Sequence, residues 1–278
     1  MISTSRGNEE AAQRVIPVAE RLLGSYRLYE PRLSIGPVDV VGKHRPVFPA
    51  IAGWWMHVNA LTADYLLLLR SGSTLTIVPL FRNIFEHVLA MMWLREAGTD
   101  GVTAIDGYTW DQQVKLYDGA KANGWPAAQN AESPARPAHV PEKDDQSPEA
   151  KRFRTLKGEF ANLKNLVDAH ENDRFAVSDH YEVYRLLSSY SHASAHTAAA
   201  YVRQAADGEL TFNAPNSRSG AADILWLPVC LIQAGTTLSS TIEGSPLEAV
   251  IEQAITELGI PRDQLMIKRT PKGDTPQT

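Results

Sequence analysis

Two stretches of this chain gather side chains that could do chemistry together. The first is Phe81-Arg-Asn-Ile-Phe-Glu-His-Val88, which carries Arg82, Asn83, Glu86 and His87. The second runs from Tyr184 to His196 and carries Arg185, Ser188, His192 and His196. A guanidinium presents paired N–H donors to phosphate or carboxylate, and an imidazole exchanges a proton near neutral pH. A carboxylate or hydroxyl beside them can orient the ring or hold a substrate. Such a set could cleave a phosphodiester, bind a nucleotide, or serve a small-molecule enzyme as a His/Glu acid–base pair. It could equally tie helices together, because buried Arg–Glu–His–Ser networks also fix register in helical bundles. The residue types leave these readings open.

Charge distribution marks both stretches as unusual. Between Arg185 and Arg203 there is no Lys, Arg, Asp or Glu, and between Arg70 and Arg95 the only charges are Arg82 and Glu86. A solvated helix face carries Lys and Glu, and a core face carries Leu and Val. Small neutral polar residues suggest a helix enclosed on most sides, with one side lining a polar cleft. At about 100° per residue, a helix from Ser178 to Gln204 puts Val183, Leu186, Leu187, Tyr190, Ala193, Thr197 and Tyr201 on one face. Arg185, Ser188, His192 and His196 fall opposite, with Arg185 and His192 two turns apart in nearly one direction. Arg82, Asn83, Glu86 and His87 likewise share an arc. Charges in an apolar helix must find partners or destabilise the fold. The two helices are therefore expected to face each other, with Glu86 bonding His192, Ser188 or Tyr184.

The His192-x3-His196 spacing suits two metal ligands, with Glu86 or His87 as a third. No glutamate lies inside that stretch as in zinc proteases, so neither metal nor cofactor is assigned. His44, His57, His139, His170 and His180 show no companion arrangement and read as surface or loop residues. Trp54, Trp55, Trp93 and Trp226 read as core.

The elements that position these groups are helices. Hydrophobic periodicity and stop signals outline about seven or eight of them. The first covers Asn8–Tyr29 and stops at Pro31; the second covers Val47–Leu69. The third is capped by Ser73 and ends before Gly98, and the fourth covers Gly101–Ala122. The fifth, Pro148–Glu171, has Phe153, Leu156, Phe160, Leu163 and Val167 on one face, with Lys151, Arg152, Arg154, Lys157 and Lys164 as a solvated basic face. The sixth is the Ser178–Gln204 helix; the last two cover Ala221–Ile242 and, capped by Ser245, reach Leu258. Residues 124–148 contain five prolines and read as a long exposed, mobile loop. Gly208–Asn213 is the one fair strand, half of a short hairpin. The fold class is thus an all-α bundle with at most a short hairpin. It is read as a single domain over 1–278, with core 8–260 and a frayed tail from 268.

With 278 residues, a net charge of −5 and 44% hydrophobic residues, the chain has an ordinary soluble composition and no global attraction to nucleic acid. Its one cysteine, Cys230, lies in an apolar run and reads as a buried inert thiol, excluding a disulfide framework. The polar N-terminus is not a secretory signal, and the apolar runs around 61–69 and 221–238 read as core helices. The expected address is the cytoplasm, with no membrane partner.

The pairing of Arg82-Asn83…Glu86 with Tyr184…Ser188…His192 resembles a broad family of all-helical bacterial proteins of unknown function, over roughly residues 47–205. A looser similarity is to the HEPN superfamily, whose mark is Arg, four to six residues, then His. Both Arg82-x4-His87 and Arg185-x6-His192 satisfy it. That resemblance implies a metal-independent ribonuclease acting across a homodimer interface, in which Arg steadies the scissile phosphate and His moves the proton of the attacking 2′-hydroxyl. On it, His192, Arg185, Arg82 and Glu86 are the catalytic candidates. Tyr184, Ser188, His196 and Asn83 are the substrate-binding candidates, and RNA or a nucleotide is the ligand, in a defence or stress system. The rival expectation is a scaffold that binds a partner protein and uses the same cluster structurally. A small-molecule enzyme stands third.

Overall fold

Apolar periodicity is realised as helix upon helix. The structure is a computed structural model that describes residues 3–35, 37–73, 75–169, 177–193, 195–199, 201–204, 207–212 and 222–265. Its elements in order are α1 (Ser3–Ile35), α2 (Phe48–Arg70), α3 (Val78–Ala97), α4 (Thr99–Ala122), α5 (Pro126–Gln129), α6 (Pro148–Phe160), α7 (Leu163–Ala169), α8 (Val177–Ser191) and α9 (Ala195–Ala199). A hairpin of β1 (Val202–Gln204) and β2 (Leu210–Phe212) follows, then α10 (Ala222–Ser239), α11 (Glu248–Leu258) and α12 (Arg262–Leu265). The fold is all-α. The hairpin is antiparallel, with Val202 opposite Phe212 and Gln204 opposite Leu210.

The central helix is α3. It lies antiparallel to α2 across a short turn and packs also against α4, α7, α8 and α10, while α1 covers α10, α11 and α2. Its residues Phe81, Ile84, Phe85, Val88, Leu89, Met91, Met92, Trp93 and Leu94 are all buried. The stretch Leu75–Ala97 is apolar and long enough to cross a membrane, and 56% of its apolar 18-residue window is buried inside the bundle. One contiguous apolar core draws on α1, α2, α3, α4, α6, α7, α8, α10, α11 and α12. Cys230 sits within it on α10, fully buried, and burial pushes its thiol pKa far up.

Buried polar groups lock neighbouring helices. Tyr26 on α1 donates to the Leu231 carbonyl of α10 at 2.9 Å, directly over Gly235, where a Cβ would lie 2.0 Å from the tyrosine oxygen. Tyr65 on α2 donates to Asp223 on α10 at 2.6 Å, and Trp93 on α3 donates to Glu159 on α6 at 2.8 Å. Both carboxylates are buried. Each such bond contributes little net stability but is expensive to break, since the buried acceptor would lose its partner.

Several boundaries differ from the sequence expectation. α1 does not stop at Pro31 but runs on to Ile35, with Pro17 also inside it. Both prolines are exposed, as are Gln13 and Arg27, four residues earlier, so the carbonyls they release can turn to water. Ser73 does not cap α3, which starts after a single 3₁₀ turn at Leu75–Ile77. Ser245 does not cap α11 either: it takes a positive φ of 44°, and the N-cap falls to Leu247, whose N–H donates to Ser239 Oγ. The fifth expected helix breaks at Ala161–Asn162 into α6 and α7, and its last residues lie outside the described ones.

The sixth expected helix is broken too. α8 ends at Ser191, and Val202–Gln204 form a strand instead. Ser189 Oγ donates to the Leu186 carbonyl and Ser191 Oγ to the Leu187 carbonyl, both at 2.7 Å. Such back-bonding weakens the helix ladder only slightly, and Thr62 and Thr237 make the same bond inside α2 and α10, which run on unbroken. Segment 124–148 is irregular as expected apart from α5, yet it is strapped to the bundle. Trp110 donates to the Pro134 carbonyl at 3.0 Å, Tyr117 to the Ala131 carbonyl at 2.9 Å, and Arg154 to the Asp145 carbonyl at 2.8 Å. Val140 is buried beneath it.

Candidate functional site

α3 and α8 pack against each other, which brings the two polar stretches together. One contact between them is Arg82 Nη1 to His192 Nε2 at 3.1 Å. A guanidinium can only donate, so Nε2 supplies the lone pair and the ring proton sits on Nδ1. His192 lies just past the end of α8, exposed, while Arg82 is half-buried on α3. The pair therefore crosses the two sequence motifs. Arg82 meets the histidine of the second stretch, not His87 of its own.

His87 is held differently. Its Nδ1–H donates to the Asn83 carbonyl one turn back at 2.7 Å, leaving Nε2 to carry the lone pair of the neutral ring. His57 of α2 meets it ring to ring, with centroids 4.8 Å apart and planes at 63°. Partial burial lowers the His57 pKa below the ordinary histidine range, and the neighbouring His87 lowers it further. Trp54, one turn from His57, stands edge-on to His87 at 6.5 Å and stacks on Phe160 of α6 at 6.1 Å. Phe160 in turn contacts Trp93 and Tyr108, so an aromatic wall joins α2, α3, α4 and α6 beside the histidines. The placement of Trp54 as half-buried wall rather than full core, and of His57 as the partner of His87, was missed from sequence. The available signal was the antiparallel α2–α3 turn: residues 57 and 87 each stand fifteen positions from Gly72.

The other candidates fall as follows. Glu86 is half-buried and bonds none of the described residues, so the expected Glu86 link to His192 or Ser188 is not made. Arg82, with its longer side chain, makes the crossing instead. Asn83 and Arg185 are exposed. Ser188 Oγ is buried and has no hydrogen-bond partner among the described residues. The side chains of Tyr184 and His196 lie outside the described part of the structure, so Glu86–Tyr184 and any His192–His196 pairing lie outside it as well. With α8 ending at Ser191, a single stripe from Arg185 to His196 does not form. Among the described residues no three His, Cys, Asp or Glu side chains gather to hold a metal ion.

What the arrangement offers is an imidazole with a permanent cation at bonding distance from it, and a pair of imidazoles, His57 of α2 against His87 of α3. The fold and this interhelical cluster define an all-helical protein with a mixed Arg/His site at a helix junction. The chain belongs to a family of unknown function, DUF5677, whose model matches residues 49–210. The match begins in α2 and ends at β2, so it contains both polar stretches. No curated protein and no solved structure matches the chain.

Proposed function

We propose that this protein cleaves RNA without a metal, in the manner of HEPN ribonucleases, at a site centred on Arg82 and His192. The observation that carries the reading is the 3.1 Å contact between Arg82 Nη1 and the His192 Nε2 lone pair. It places a base in its proton-accepting form beside a phosphate-binding cation. On binding RNA, the scissile phosphate competes for the guanidinium and releases Nε2. Nε2 then takes the proton of the 2′-hydroxyl, the 2′ oxygen attacks phosphorus, and the 5′ oxygen leaves with a proton from water, whose hydroxide takes the proton back from the imidazolium. The products are a 2′,3′-cyclic phosphate and a 5′-hydroxyl end. Arg185 and Asn83, both exposed, would extend the phosphate grip in this reading; Ser188, Tyr184 and His196 remain the binding candidates, and Glu86 an electrostatic one. The same reading carries a homodimer, a cytoplasmic address and a role in defence or stress.

A scaffold reading draws on the same bond, since Arg82–His192 also ties α3 to the end of α8. A single variant separates them. In EDTA, the wild type should cut a single-stranded RNA to cyclic-phosphate ends, and His192→Ala should lose roughly a hundredfold or more of that rate. Its melting temperature should stay within about 3 °C, as for loss of an exposed contact. A large fall in melting temperature with no RNA product from either protein would establish the scaffold instead.

A further inference from the structure

Away from the histidines, α4, α6 and segment 134–147 enclose a cleft of about 660 Å³. Its floor is apolar, made by Val114, Val140, Pro141 and Phe153, with Trp110 at one side. Gly107 makes that floor possible. A Cβ there would lie 2.5 Å from Phe153 Cζ and 3.4 Å from Val140 Cγ1, so only glycine lets α4 approach this closely. The wall formed by the irregular segment is built rather than loose: the Trp110 bond to Pro134, a 2.8 Å His139–Asp106 contact and the Arg154 bond to Asp145 fasten it at three points.

The rim is cationic. Lys115, Arg136, Lys143, Arg154 and Lys157 face three carboxylates, Asp111, Glu142 and Asp144. Two of the carboxylates are already matched, Asp111 by Lys157 and Glu142 by Arg136, each at 2.8 Å. Lys157 also stands 5.3 Å over the Phe153 ring, which keeps positive charge above the apolar floor. Lys115 and Lys143 are exposed and have no ionic partner among the described residues. The cleft therefore holds a net positive charge over a greasy floor in a chain whose overall charge is −5. A volume of this size suits a small organic ligand, roughly 300–1,000 Å³ being usual for such sites.

We propose that this cleft binds a small amphipathic anion, a compact ring-sized apolar body carrying one acidic head group, with the body on Phe153 and Val140 and the head between Lys115 and Lys143. The head chemistry required is that of a carboxylate or a phosphate monoester, either of which two lysines can hold as point charges. The site is independent of Arg82 and His192.

8-Anilinonaphthalene-1-sulfonate has this form and reports its own burial by fluorescence. It should bind the native full chain saturably, one per protein, and the neutral N-phenyl-1-naphthylamine should bind more weakly. Lys115→Glu with Lys143→Glu should weaken the sulfonate probe roughly tenfold or more, without lowering the melting temperature, because two charge-assisted contacts are lost. Displacement by phenyl phosphate but not 2-naphthoate, or the reverse, identifies the head group. His192→Ala should leave the binding unchanged. The proposal falls if the probe shows no saturable site, if the neutral analogue binds as tightly, or if the charge reversal leaves affinity intact.

Discussion

His57 and His87 meet at 4.8 Å on adjacent helices, and the consequence can be read one proton at a time. Partial burial first, and His87 second, hold the His57 pKa below its ordinary value. The unfolded chain therefore takes this proton before the folded one does. Above the unfolded value of about 6.5 the group costs nothing; as pH falls through that value toward the lowered one, folding stability declines. The loss is small because the ring is largely exposed. An NMR titration of the ring carbon should give His57 a midpoint below that of a free histidine, and His87→Gln should move it partway back up. A midpoint unmoved by that substitution would show that the two rings do not interact. Ser188 poses the opposite problem, a buried hydroxyl with no partner among the described residues. Removing an unsatisfied polar group relieves a desolvation penalty of about 1 kcal/mol or more. Ser188→Ala should hold or slightly raise the melting temperature, and if Ser188 binds RNA the same variant should raise KM.

At the scale of elements, close contacts rest on Gly101, Gly107 and Gly235 among the described residues. In α10, Gly235 lies under Tyr26 of α1, where even a methyl group would overlap the phenol oxygen. Gly235→Ala should push the ring aside and break its bond to Leu231, costing about 2–4 kcal/mol by overpacking and loss of a buried hydrogen bond. Thermal unfolding should show a fall of several degrees; an unchanged midpoint would mean that α1 slides freely over α10. His192 directly follows the last residue of α8, where Arg82 of α3 reaches it.

For the whole molecule, the irregular segment after α4 is the part whose nature changed most between sequence and structure. Five prolines and no periodicity predict a mobile loop, yet side chains from α4 and α6 bond its backbone and Val140 is buried under it. Native limited proteolysis with trypsin should spare Lys143 until the protein unfolds, since a protease needs several residues of free backbone. Early cleavage there would mean that the straps are open in solution. Because one core joins helices from α1 to α12, circular dichroism and tryptophan fluorescence should report the same unfolding midpoint.

Periodicity, glycine and proline positions determined that this chain is helical, and most helix ends followed within a few residues. Those signals are local, so they survive in the sequence: a stripe of Phe81, Ile84, Phe85 and Val88 is buried whatever it packs against. Charge scarcity likewise marked the Arg82 and Tyr184–His196 stretches as unusual before any fold was known. Which residues meet was decided only in three dimensions. Arg82 to His192 spans 110 positions and depends on how α3 and α8 pack together. His57 gained a partner because α2 and α3 fold back on one turn, and the anion cleft exists because Gly107 lets α4 and α6 close on Phe153. Backbone preference is written residue by residue, whereas contact between distant side chains depends on the sum of every turn and packing angle between them.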